Sequence, residues 1–195
     1  MNLTLADIAD VRAYEREREE LRARIIEMKK VRRVAVGPVL TFVFENRDTV
    51  RFQIQEMARA EKLSTDGAIQ AELDTYNPLI PAPGQLSATL FVELTNREEM
   101  ERWLPALVGV ERAAFIEVAE GVRVGSTVDE EHASLLTREA VTASVHYVRF
   151  ELAPSEVAAF ATGTVILGVD HPSYSYRTSL GPETRGALLE DLQGG

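Results

Sequence analysis

The stretch Ala143-Ser-Val-His-Tyr-Val-Arg-Phe-Glu-Leu152 decides the fold. A period of two puts Ser144, His146, Val148, Phe150 and Leu152 on one face, and Val145, Tyr147, Arg149 and Glu151 on the other. That is the pattern of a sheet strand. Pro154 follows, where the first turn of a helix tolerates proline, and Gly163 marks that helix's end. The wholly apolar run Val165-Ile-Leu-Gly-Val169 then reads as a buried strand leading into Asp170-His171-Pro172. Tyr174 and Tyr176 continue as an edge.

The same alternation recurs upstream. Leu86, Ala88, Leu90, Val92 and Leu94 share one face of a half-buried strand, with Ser87, Thr89 and Glu93 opposite. Phe115–Val118 and Val122–Val124 flank Glu120-Gly121 as a hairpin. Val34–Val36 and Val39–Phe44 are two strands joined at Gly37-Pro38. Helical spacing fills the gaps. Thr4 caps a first helix with apolar positions at Ile8, Val11, Tyr14, Leu21, Ile25 and Met28. Asn46 or Asp48 caps a second, Thr49 to about Lys62. A third runs from about Thr65 to Thr75. Asn96 opens a fourth that ends near Val108 and carries Trp103 as a core anchor. Tyr76-Asn-Pro-Leu-Ile-Pro81 reads as a rigid extended connector, able to line a site or to cover a core. The sum is α+β: a mostly antiparallel sheet covered by helices on one face. Residues 1–180 form a single domain, and 181–195, beyond the Gly181-Pro182 break, a peripheral C-terminal helix or tail.

Composition narrows the chemistry. At 195 residues the chain can bury a sizeable core. Its net charge of −10 argues against nucleic acid as a partner. With no cysteine, it forms no disulfide, thiol nucleophile, cysteine-ligated zinc or thiolate-held iron–sulfur cluster. The N-terminal residues lack a secretory signal and the apolar runs are too short to span a bilayer. The expectation is a cytoplasmic protein with no membrane partner. The basic run Lys29, Lys30, Arg32, Arg33 either complements a helix C-terminus or holds a phosphate or nucleic-acid backbone, and no glycine-rich cradle accompanies it. The Glu- and Arg-dense face between Glu15 and Arg24 reads as a solvated surface laced with i,i+4 pairs, with pairing to a second chain as the alternative. Glycine-rich phosphate loops, a GxSxG elbow and HExxH or paired ExxH metal motifs are all missing.

Histidine is what remains. His132 follows Asp129-Glu130-Glu131 and reads as surface. His146 projects among apolar neighbours, either as a core imidazole bonded to a backbone carbonyl or a hydroxyl, or as a metal ligand or base. His171 sits where a buried strand meets a loop, again either a turn residue or a site residue. If neighbouring strands bring them together, His146 and His171 with Asp170 and Glu56, or Gln55, could hold a divalent metal, with imidazole and carboxylate suiting iron, manganese or zinc.

Four separated stretches carry a resemblance. Arg51-Phe-Gln-Ile-Gln-Glu-Met57, Tyr76-Asn-Pro-Leu-Ile-Pro81, Val145-His-Tyr-Val-Arg-Phe-Glu-Leu152 and Gly168-Val-Asp-His-Pro172 together resemble a bacterial family catalogued as domain of unknown function 3501. The resemblance runs from about Leu3 to Tyr176. It implies a supporting role in a redox or peroxide-stress pathway, beside rubrerythrin-like or iron–sulfur oxidoreductase proteins, and identifies no reaction. Two expectations follow: a non-enzymatic accessory or ligand-binding protein, expected as a homodimer on the base rate for symmetric oligomers, or a metal-dependent enzyme built on His146 and His171 with nearby carboxylates.

Overall fold

The computed structural model describes residues 2–128 and 141–194; His132 and its acidic neighbours lie outside them. Among the described residues, eight strands form two four-stranded antiparallel sheets. In the first sheet the order is β1 (Arg33–Val36), β2 (Leu40–Glu45), β3 (Gln85–Val92), β6 (Val145–Glu151). In the second it is β5 (Val122–Gly125), β4 (Ala114–Ala119), β7 (Ile166–His171), β8 (Tyr174–Ser179). The α+β reading holds, but the strands divide into two layers instead of one sheet. Alternation explains the division. Phe42, Phe44, Leu86, Leu90, Val148 and Phe150 of the first sheet share one core with Ile116, Val118, Leu167 and Val169 of the second. Two apolar faces each need a cover, and each supplies the other's.

The sheets also meet at both margins. Thr127, just beyond β5, bridges Arg149 of β6 through backbone bonds of 2.8 and 2.9 Å. At the opposite seam the Tyr174 hydroxyl donates to the Val36 carbonyl (2.7 Å) and the Thr178 hydroxyl to the Ala35 carbonyl (2.8 Å). The sandwich is thereby closed into a flattened barrel, which protects the edge strands from pairing with other chains.

The outer face of the first sheet lies under a helical layer. Thr4 and Asp7 cap only a one-turn 3-10 segment, Leu5–Asp7. The main helix α1 (Val11–Arg32) starts afresh because Asp10 accepts from the Arg12 and Ala13 amides. α2 (Arg47–Ala60) is capped by Asn46, and α3 (Asp66–Tyr76) by Thr65. Tyr14, Leu21 and Ile25 of α1 pack with Phe52 of α2. Val50 and Ile54 of α2 pack with Leu73 of α3 and with Leu79. The Tyr76–Pro81 connector is not extended as expected: Asn77–Leu79 forms a 3-10 turn with proline in its first turn, where a missing amide costs nothing.

α4 (Arg97–Ala106) sets Trp103 edge-on against Tyr174, 5.7 Å between ring centroids. α5 (Pro154–Thr162) buries Phe160 in the core. The last helix, α6 (Pro182–Leu192), expected at the periphery, inserts Leu188 and Leu192 into that same core.

Candidate functional site

Between the first sheet and its helical cover lies a cavity of about 250 Å³. β2 contributes Glu45, β3 contributes Thr89 and Phe91, and β6 contributes Val145 and Tyr147. α1 adds Lys29, α2 adds Val50 and Gln53, and Tyr76 and Leu79 come from the end of α3 and the turn after it. Strand alternation puts these sheet residues on one side: Thr89 stands opposite Val43 and Tyr147, and Phe91 opposite Thr41 and Val145. The inner positions of these strands went to the barrel core, so the outer face is free to be polar.

Glu45 anchors the site. It is 8% exposed. The Thr89 hydroxyl donates to its Oε1 (2.7 Å) and the Thr49 hydroxyl to its Oε2 (2.5 Å). Thr49 is itself oriented, because its Oγ1 accepts from the Asn46 amide at 2.9 Å. Each carboxylate oxygen thus holds one neutral donor and keeps a further lone pair. Among the described residues no arginine, lysine or histidine forms an ion pair with it. The Tyr147 phenol has its pKa raised, first by burial and then by its neighbours Tyr76 and Glu45.

The four residues singled out as metal ligands go elsewhere. Glu56 binds Arg18 through both oxygens (2.8 and 2.9 Å) and accepts from the Tyr14 hydroxyl (2.5 Å). The Arg18 hydrogen bond is the main cause that lowers its carboxyl to about 2. Neighbouring Gln55 clamps Ala9 through both its amide and its carbonyl. His146 is buried at the inner face of β6, with Nε2 2.8 Å from the Thr142 hydroxyl and 3.0 Å from the Ala143 carbonyl. Only the tautomer protonated on Nε2 can donate to that carbonyl. Burial lowers its pKa, against the pull of Glu111. The 3.9 Å approach to Glu111 is therefore no ion pair. His171 ties a turn: Nε2 donates to the Val108 carbonyl (3.1 Å) and Nδ1 accepts from the Ser173 amide (3.2 Å). Asp170 is exposed beside Arg123, at 3.6 Å. Among the described residues no three histidine or carboxylate side chains gather as a metal cluster.

The basic run also disperses. Arg32 is buried against Asp191, Arg33 pairs with Glu93, Lys30 with Glu27, and Lys29 reaches the cavity. The residues missed from the sequence are thus Glu45, Thr89 and Lys29. A signal exists in the sequence: Thr41, Val43 and Glu45 alternate in phase, and Thr89 falls on the polar side of its strand.

Three of the four stretches that carry the family resemblance supply cavity residues: Gln53, Tyr76 with Leu79, and Val145 with Tyr147. The chain matches the family described as "Protein of unknown function (DUF3501)" over residues 2–192, which takes in the terminal helix. It is similar to a solved protein of unknown function from Burkholderia pseudomallei K96243, with 36% identity, a TM-score of 0.90, and coverage of 98% of this chain and 100% of that one. No curated protein matches it. No helix among the described residues is long and apolar enough to cross a membrane. Matched over nearly its whole length, the chain belongs to the DUF3501 family.

Proposed function

We propose that this is a ligand-binding protein that takes a small organic molecule into the cavity beneath α1 and α2. One observation carries the reading: side chains from three strands, three helices and one turn converge on a single cavity that mixes aromatic walls with a few fixed polar groups. That combination is what small-molecule sites have in common. The cavity lining offers no serine, histidine or cysteine nucleophile, and Lys29 is not paired with Glu45 to activate either. Binding without turnover is the simplest chemistry the lining supports. The setting beside redox enzymes rests on the resemblance and adds nothing to the cavity itself.

Gln53 is exposed at the cavity's rim, so Gln53→Trp closes the mouth without touching the core. The test is a metabolite screen by thermal shift on the wild type and on this variant. Compounds that raise the wild-type melting temperature and lose their effect in Gln53→Trp support the reading. It is overturned if no compound stabilises the wild type, if the variant responds equally, or if the purified protein converts a bound compound unaided.

A further inference from the structure

From the charges in this cavity we infer that its ligand is a small zwitterion, bound with its ammonium on Glu45 and its anionic group on Lys29. The inference rests on the cavity reading above and names the ligand class.

Glu45 is the first reason. Removing a carboxylate from water is costly unless charge or hydrogen bonds compensate. Here two threonine hydroxyls do part of the work, and no cation completes it among the described residues. Hydroxyl donors fix the carboxylate in place while leaving a lone pair on each oxygen for a ligand. An ammonium has three donors and a compact charge, which suits those remaining acceptors.

The walls are the second reason. Tyr76, Tyr147 and Phe91 all line the cavity. Aromatic faces attract a cation, the more strongly the drier the site. A bare anion would meet the negative faces of these rings as well as Glu45. The cavity's interior therefore selects positive charge.

Lys29 is the third. It is half-buried near the C-terminus of α1 and lines the same cavity, yet forms no ion pair among the described residues. Glu45 is buried, while Lys29 and exposed Gln53 lie toward solvent. The site thus runs from a buried carboxylate to a half-buried ammonium, with no ion pair between the two. A molecule carrying both charges satisfies both ends. At about 250 Å³ the cavity falls just under the range of about 300–1,000 Å³ typical of drug-sized ligands. That is room for a molecule the size of an amino acid.

Calorimetric titration with four matched probes tests this: 5-aminopentanoate, pentylamine, pentanoate and pentan-1-ol. The zwitterion should bind at least tenfold tighter than the amine, and the amine tighter than the acid or the alcohol. Glu45→Gln keeps the side chain's shape and removes its charge; one threonine hydroxyl still donates to the amide oxygen, and the other turns to accept from the new NH2. It should weaken both ammonium-bearing probes at least tenfold. Lys29→Met should reduce the zwitterion to the amine's affinity and leave the amine unchanged. The inference is overturned if pentanoate binds as tightly as pentylamine, or if Glu45→Gln leaves pentylamine binding intact. If acid or alcohol binds and Gln53→Trp abolishes it, the cavity reading stands and only the ligand class is wrong. If no probe binds the wild type, the zwitterion assignment fails, and the metabolite screen decides the cavity reading separately.

Discussion

Arg32, in the last turn of α1, and Asp191, in α6, form a buried two-bond ion pair of 2.6 and 3.0 Å across 159 residues of sequence. It pins the chain's last helix to its first. Arg32 is 4% exposed and Asp191 9%, and the Arg32 Nε is buried without a partner among the described residues. Such a pair stabilises little against an apolar substitute, but breaking it strands a charge in the interior.

Removing one partner therefore costs far more than removing both. Asp191→Ala or Arg32→Ala should each lower unfolding free energy by about 3–5 kcal/mol. The double variant Arg32→Met/Asp191→Leu should recover most of that loss. Urea unfolding of the three proteins checks this, and a double variant no more stable than the singles would refute it.

Gly37 joins β1 to β2 at φ +72°. A Cβ there would stand 2.4 Å from the Tyr174 hydroxyl and 2.6 Å from the Tyr176 ring. Gly37→Ala should cost about 2–4 kcal/mol, from the left-handed backbone and the overpacking together. Tyr174 donates to the Val36 carbonyl and accepts from the Val39 and Leu40 amides (3.1 and 3.3 Å). Tyr174→Phe leaves those buried groups unpaired, for about 1–3 kcal/mol. Melting temperatures should fall for both variants, and further for Gly37→Ala.

His146 makes stability depend on pH near neutrality. Burial lowers its folded pKa below the ordinary 6.5. Below that pH the unfolded chain binds a proton that the folded chain refuses. The unfolded state then binds more protons, so stability falls as pH drops and is fully present only above about 6.5. His146→Gln should flatten the urea midpoint between pH 7 and pH 5 relative to wild type. Parallel slopes for the two proteins would assign the dependence to other groups.

Glu56 acts in the acid range. Its folded pKa near 2 lies below the ordinary 4.5. The folded chain therefore holds fewer protons between those values. The contribution is present above about pH 4.5 and is lost as pH falls toward 2. Glu56 is 29% exposed in its side chain and Arg18 28%, so solvent screening reduces the effect. Glu56→Gln should cost about 1–2 kcal/mol at pH 7 and close to nothing at pH 2. Acid unfolding curves of the two proteins should converge there.

Period-two alternation by itself puts His146, Val148 and Phe150 on one face and Tyr147 and Arg149 on the other. Capping chemistry puts helix starts at Asn96 and at Asn46 or Asp48, of which the structure uses Asn46, because a side-chain acceptor for the first amides is a local matter. The α+β class and the family were likewise legible, the first from spacing and the second from four motifs. What alternation cannot encode is which layer covers a given face. Val148 would face inward equally well in one sheet or in two. Only the tertiary structure decided that the strands divide into a closed sandwich, and that α1 and α2 cover the polar side of the first sheet. That choice turned Glu45 and Thr89 from ordinary strand residues into the floor of a cavity. It also sent His146 and His171 to separate backbone partners, since strands near in sequence need not be neighbours in a sheet. Local physics wrote the elements; long-range burial of two apolar faces against each other chose the site.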